Sequence, residues 1–177
     1  MKQNKPLVSV VMPVFNAEKF IGQAIESILN QTLKDFEFII VNDASTDNSL
    51  QIINSYKKKD NRIRVFNNKK NLHMSESLNL GIDQAKADFI ARMDQDDISV
   101  PKRLEIQYEF LRSHPNIAIV GNDIFLIDVN NAIIGNRTYP ATSDQLKKII
   151  FRYSPFAHPT IMIKKDVYYK IGRYDGA

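Results

Sequence analysis

Three carboxylates fall within four positions at Asp94-Gln95-Asp96-Asp97, directly after the apolar segment Phe89-Ile90-Ala91-Arg92-Met93. A buried strand rarely ends in clustered like charges, because each carboxylate repels the next and resists losing its water. A cation held between them relieves both effects. The donors are oxygens only, with no histidine or cysteine nearby. Such a set suits a hard ion, Mg2+ or Mn2+, that keeps waters and shares a phosphate. An isolated Asp-x-Asp also reads as a solvated acidic turn, so the surrounding chain has to decide.

The elements that must position these carboxylates alternate between strand and helix, the pattern of an α/β fold with a mostly parallel sheet and helices on both faces. Leu7 to Met12 is a short apolar run of the kind buried in a parallel sheet. Phe20, Ile21, Ala24, Ile25, Ile28 and Leu29 form a helical stripe over 18–30. Phe36 to Val41 predicts a second strand, and Thr46 and Asp47 offer caps for a helix reaching about Lys58. Ile63 to Phe66 predicts a third strand. Helical spacing at Met74, Leu78, Ile82 and Ala85 precedes a fourth at Phe89 to Met93. Pro101 opens a helix that closes near Ser113-His114-Pro115. Beyond it, strands are predicted at Ile117 to Val120, Ile124 to Val129 and Ala132 to Ile134, the last two joined by an Asn130-Asn131 turn. A helix over Gln145 to Phe151 and a strand over Thr160 to Ile163 complete the pattern.

In open α/β sheets, ligands bind beyond the carboxyl ends of the strands, where strand order reverses. Three such ends carry polar loops here: Pro13-Val14-Phe15-Asn16, Asn42-Asp43-Ala44-Ser45-Thr46-Asp47, and Asp94 to Asp97. Together they suit a ligand with hydrogen-bond donors, an aromatic plane and a metal-bound anion, and a nucleotide diphosphate has all three. The six glycines contain no Gly-x-Gly-x-x-Gly and no phosphate loop ending in Gly-Lys-Ser/Thr. Dinucleotide dehydrogenases and P-loop NTPases are therefore disfavoured, and metal and side chains must hold the phosphates.

A chain of 177 residues with 44% hydrophobic and 25% charged residues is long enough for one full core. No stretch approaches the ~20 apolar residues of a membrane span. Met1 to Pro6 is not followed by a signal-like apolar region. The absence of cysteine removes disulfides, thiolate metal sites and a cysteine nucleophile. Asn30-Gln31-Thr32 and Asn136-Arg137-Thr138 match the glycosylation acceptor pattern by chance in a chain without a secretion signal. The net charge of +4 owes much to Lys57-Lys58-Lys59 and Lys69-Lys70. Neither run is interleaved with aromatics, so no nucleic-acid partner is expected. Weak attraction to an anionic membrane surface is consistent with the charge.

The strand-end segments, together with Asn71 through Asn79-Leu80-Gly81 and Met93 to Asp97, resemble the successive motifs of family-2 inverting glycosyltransferases with a GT-A fold. That fold is a Rossmann-like three-layer sandwich. The resemblance covers about residues 7 to 175; Ser154 to Thr160 and Gly172-Arg173-Tyr174-Asp175 look like the family's downstream region. It implies a single domain, with a nucleotide-binding part over about 7–97 and the start of an acceptor part over about 98–177. It implies that Pro13 and Phe15 line base and ribose, and that Asp43 accepts a hydrogen bond from the uracil N–H. It implies that Asp94 meets ribose or metal, and that Asp96 binds the Mn2+ or Mg2+ bridging the diphosphate. Asp97 would orient its neighbours. Asn71 and Asn79 would face nucleotide or sugar, or act as a cap and a buried amide. Asp47 is a cap or a site residue. His158 is a loop-packing residue or, by the resemblance, lies near the acceptor. His73 and His114 read as loop and helix-end residues, and Arg92 and Arg103 as neutralisers of the carboxylates.

The activity implied is transfer from a UDP-sugar to a glycan or lipid-linked acceptor with inversion, in polysaccharide or lipopolysaccharide-type synthesis. The expected setting is the cytoplasm, peripheral at the inner face of the membrane. The family's general base is an aspartate in an acidic pair shortly after the segment resembled by Tyr174-Asp175. No such pair occurs before Ala177, and the resemblance makes Asp175 a loop residue. The expectation is a catalytic domain truncated at its C-terminus, with the base beyond Ala177. Two other classes compete: a sugar-phosphate nucleotidyltransferase, which would want a glycine-rich basic loop where Phe15-Asn16-Ala17-Glu18 stands, and a nucleotide-sugar-binding domain without turnover.

Overall fold

Side chains of β1 (Val8–Val14) and β2 (Phe36–Asn42) alternate between two separate cores. Val8, Val10, Met12, Val14, Phe36, Phe38 and Ile40 enter one, and Val11, Ile39 and Val41 the other. This is the period-two pleat of a strand buried on both faces. It explains why these strands read as continuous apolar runs. In the computed structural model, which describes residues 5–175, the first core is capped by α1 (Ile21–Leu29), α2 (Ser49–Lys57) and α4 (Arg103–Ser113). The second lies under α3 (His73–Gln84) and α6 (Lys165–Ile171). Residues 1–4 and 176–177, on which part of the leader reading and the chain-end reading fall, lie outside the described residues.

The sheet also contains β3 (Ile63–Asn67), β4 (Phe89–Arg92), β5 (Ile119–Val120) and β8 (Met162–Lys164), in the order β3-β2-β1-β4-β8-β5. The first four strands are mutually parallel, whereas β8 is antiparallel to β4 and to β5. The chain winds outward from β1 through β2 to β3, then returns to place β4 on the other side of β1. That reversal opens a crevice between the ends of β1 and β4. A separate hairpin pairs β6 (Ile124–Ile127) with β7 (Ile133–Arg137), and α5 (Ser143–Ile149) follows it.

The glycine of α3 sets the depth of one layer. A Cβ on Gly81 would lie 2.4 Å from Val11 Cγ1 and 3.2 Å from Val41 Cγ2, so the helix backbone rests directly on the sheet. Several predicted boundaries move. The strand predicted over Ile117 to Val120 keeps only Ile119–Val120. The strand predicted from Thr160 begins at Met162, because His158–Thr160 forms a 3-10 turn. The first hairpin strand stops at Ile127, because the Asp128 carboxylate accepts from the N–H groups of Asn130 and Ala132 and folds the turn. Helix α6 was not anticipated: Tyr168 is its one buried residue, and a single buried side chain leaves no helical stripe.

Candidate active site

The crevice between β1 and β4 is bridged by Gln95. Its Oε1 accepts from Phe15 N at 2.7 Å and its Nε2 donates to Phe15 O at 3.2 Å. The residue between the first two carboxylates thus holds the backbone of the β1 loop, with Phe15 itself 41% exposed. Sequence reasoning assigned Gln95 no role. Pro13 sits half-buried in β1, paired with Val41.

The β1 and β2 loops are laced together. Asn16 N donates to Ser45 Oγ at 3.1 Å, and Thr46 N donates to Asn16 Oδ1 at 2.8 Å. Asp47 accepts from Glu18 N at 3.0 Å and from Ser49 N at 2.9 Å, so it serves as a latch between loops and at the entry to α2. Ala44 adopts φ 57°, a left-handed conformation that costs an L-residue about 1–2 kcal/mol. The strained residue immediately follows Asp43, as backbone outliers often do beside working residues.

Asp43 is 3% exposed. Its Oδ1 accepts from Asn68 Nδ2 at 2.7 Å and from Leu72 N at 2.8 Å. Asn68 is fixed in turn by donating to Ser77 Oγ at 2.9 Å. Both bonds converge on one oxygen and use its two lone pairs. Asn71 Oδ1 accepts from His73 N at 2.9 Å, the local turn that starts α3. Asn79 is a buried amide: its Oδ1 accepts from the Tyr168 hydroxyl and from Tyr174 N, and its Nδ2 donates to Tyr174 O at 2.9 Å. It staples a segment 95 residues downstream onto α3.

At the end of β4, the buried Arg92 guanidinium meets Asp94 Oδ1 at 3.0 Å. Burial raises the Asp94 carboxyl above the usual carboxylate range, against the opposing pull of Arg92. Burial and the charges of Asp94 and Asp96 push Asp97 up to about 6. Asp96 is exposed. Arg103, fully within the protein, is lowered to about 10 by burial, with Asp97 and Asp94 opposing. Its Nη2 donates to Arg92 O at 2.5 Å, so it braces the arginine that pairs with Asp94.

Two guanidiniums set against three carboxylates leave a surplus of negative charge, which adds to burial in raising Asp97. A hard divalent cation fits that surplus and that donor type. Among the described residues, no three Asp, Glu, His or Cys side chains converge into a group that holds a metal alone. A preformed protein cage at Asp94 and Asp96 is therefore absent. A cation here would take one or two carboxylates and complete its shell with phosphate oxygens and water.

The remaining histidines separate. His114 stacks on Phe110 at 4.3 Å, and His73 starts α3 at φ 66°, next to the Leu72 N–H that Asp43 holds. His158 meets the Tyr174 hydroxyl at 3.0 Å through Nε2. Burial, with the nearby Arg92 charge, lowers its pKa to about 4.

The glycosyl transferase family 2 profile matches residues 9–172. The chain is 37% identical over 171 residues to the O-antigen biosynthesis glycosyltransferase WbnJ of Escherichia coli, covering 96% of this chain and 66% of WbnJ. It is 37% identical over 177 residues to the uncharacterized glycosyltransferase MJ1057 of Methanocaldococcus jannaschii, covering 98% of this chain and 61% of the relative. The chain thus spans 61–66% of the length of these curated relatives. Among solved structures, S. aureus TarS 1-349 in complex with UDP superposes with a TM-score of 0.69 at 24% identity, over 93% of this chain and 48% of that one. The mannosyltransferase PcManGT from Pyrobaculum calidifontis, in complex with GDP-Man and Mn2+, gives 0.72 at 16% identity, over 98% and 49%. Those likenesses establish the GT-A architecture of the sheet and its flanking helices. The profile match, across nearly the whole described sheet, makes the chain a member of glycosyl transferase family 2.

Proposed function

We propose that this chain binds a UDP-sugar between the Asp43 and Asp94–Asp97 loops and transfers the sugar, with inversion, to a glycan or lipid-linked acceptor. The polysaccharide or lipopolysaccharide-type setting rests on the likeness to WbnJ, which is named for O-antigen biosynthesis. The observation that carries the choice of uracil is the asymmetry of Asp43. Its Oδ1 is occupied by Asn68 and Leu72, so Oδ2 is the oxygen open to a ligand. One open acceptor suits the single ring N–H of uracil better than the paired N–H groups of guanine.

Phe15 would stack on the base, and Pro13 would shape the wall beside it. Asn71, tied to the α3 turn, would reach the nucleotide only through its amide nitrogen. Asp94 would meet the ribose or the metal, and Asp96 the metal. Mn2+ or Mg2+, when bound, supplies neutralisation of the charge that develops on the departing diphosphate. Residues of about 7–97 would hold the nucleotide and those from about 98 onward would begin the acceptor side. A cytoplasmic location, peripheral at the inner membrane face, is in keeping with the +4 charge. Among the described residues, no helix is long and apolar enough to cross a membrane.

Melting temperature measured with UDP, GDP and CDP, each with and without Mn2+, tests this reading. A rise with UDP that needs Mn2+ and exceeds the others is expected. Equal rises with all three nucleotides, or none, would overturn it.

A further inference from the structure

Strand β1 outlasts one of its neighbours. Its ladder with β4 ends at the pair Val11↔Arg92, followed by one backbone bond from Met93 N to Val11 O at 3.0 Å. On its other side β1 stays paired with β2 as far as Val14↔Asn42, and Asp43 N donates to Val14 O at 2.7 Å. Successive strand residues turn their backbone groups to opposite neighbours, so Phe15, an even number of residues after Val11, again faces the β4 side. Pro13, between them, has no N–H to leave unpaired there. At Phe15 the β4 backbone has already turned away, and the Gln95 amide stands in for it. It accepts from the Phe15 N–H at 2.7 Å and donates to the Phe15 carbonyl at 3.2 Å, the two bonds that a neighbouring strand would make. A primary amide suits this task because it carries an acceptor oxygen and a donor nitrogen side by side.

These two bonds join loops with different tasks in the reading above. Gln95 stands between Asp94 and Asp96, the carboxylates proposed for the cation, and Phe15 carries the ring proposed for the base. Among the described residues, no other hydrogen bond connects residues 94–97 with the β1 loop. The next residue along β1 is tied elsewhere: Asn16, left-handed at φ 50°, is held to Ser45 and Thr46 of the β2 loop. Phe15 therefore lies between two anchors, one on each neighbouring strand end. The Gln95 anchor contributes little to stability, because the bonds lie at an exposed position where water can replace them. Its consequence is mechanical: the β1 loop and the acidic loop move together.

We propose that Gln95 is a positioning residue that links the cation site to the base site: a divalent cation held by Asp94 and Asp96 fixes the residue between them, and the amide passes that order to Phe15. This role rests on the UDP-sugar reading above. Ordering the β1 loop once serves both ligands, so each binds more tightly when the other is present. The linkage is reciprocal, and it adds to the direct contact between diphosphate and metal.

Gln95→Met keeps the length of the side chain and removes both bonds; Gln95→Asn keeps the amide and falls one methylene short. Calorimetry gives the UDP Kd of the wild type and both variants, without Mn2+ and with saturating Mn2+, and the ratio of the two values measures the linkage. In the wild type that ratio contains the diphosphate–metal contact and the Gln95 link; in the variants it contains the contact alone. Both variants should lower the ratio about three- to tenfold, as loss of one or two neutral hydrogen bonds implies, with Tm and metal-free UDP affinity close to wild type. An unchanged ratio overturns the link. Equal weakening of UDP with and without Mn2+ also overturns it, because a merely loosened loop gives that result. A second readout needs no nucleotide: in protein carrying isotope-labelled phenylalanine, the Phe15 amide NMR signal should shift on addition of Mg2+ in the wild type and stay in place in Gln95→Met. Failure of every form to bind UDP would refute the nucleotide reading, and the Phe15 signal would still decide the link. An equal response in both proteins, or none in either, overturns it.

Discussion

Replacing Asp43 with Asn changes one atom and separates the structural from the ligand-binding work of this side chain. The amide oxygen can take over Oδ1 and still accept from Asn68 Nδ2 and Leu72 N, now at 2.7 and 2.8 Å. The amide nitrogen then occupies the open Oδ2 position and presents N–H where uracil also presents N–H. A charge-assisted hydrogen bond is lost, and such bonds contribute about 1.5–3 kcal/mol. UDP affinity should therefore fall about 10- to 150-fold. CDP should behave differently, because cytosine N3 accepts where uracil N3 donates, so D43N should bind CDP at least as well as the wild type does. Calorimetric titration of both proteins with UDP and CDP at fixed Mn2+ reads the crossover directly. Wild-type UDP affinity in D43N would refute the reasoning. Equal losses for UDP and CDP, accompanied by a lowered Tm, would show that Asp43 serves only the loop.

Gly81→Ala forces a Cβ to 2.4 Å from Val11, a strand residue with little room to yield. Overpacking outweighs the gain in helix propensity, and a net loss of about 1–2 kcal/mol is expected by urea titration. Gly22→Ala, whose Cβ would meet only the Tyr56 hydroxyl at 3.6 Å, should instead stabilise by about 0.5–1 kcal/mol. Asp97, raised to about 6, is disfavoured as a carboxylate in the folded state, so stability present at low pH is lost as pH rises toward 6. In metal-free buffer, Asp97→Asn should gain Tm over the wild type between pH 4 and 6 and hold that advantage above; a pH-independent difference would contradict it. His158, lowered to about 4, has the opposite sign: stability is lost as pH falls from 6.5 toward 4, and His158→Gln should escape that loss. Parallel Tm curves for the two proteins would count against a buried neutral imidazole.

The sheet's first four strands and the helices between them were legible because two-sided burial writes continuous apolar runs at β1 and β2 and because α1 carries a full helical stripe. The loops at their ends were legible as chemistry because carboxylates and amides stand where a strand has just stopped. What escaped were relations between distant residues. Gln95 clamps Phe15 across 80 positions, and Asn68 fixes Asp43 from the far side of β3. Neither leaves a local pattern. The edge of the sheet was legible as short apolar segments, but the antiparallel placement of β8 depends on pairing with β4, which periodicity does not record. Asn79 was left between ligand contact and buried amide; only its bonds to Tyr168 and Tyr174 make it the staple for the downstream segment.

A crystal structure grown with UDP and Mn2+, with the anomalous signal of manganese recorded, tests the assignment of the two loops most directly. The expected result is one manganese peak in coordination contact with Asp96 and the diphosphate oxygens, with uracil N3 within hydrogen-bond distance of Asp43 Oδ2. Uracil bound away from Asp43, or manganese bound away from the Asp94–Asp97 loop, would contradict it.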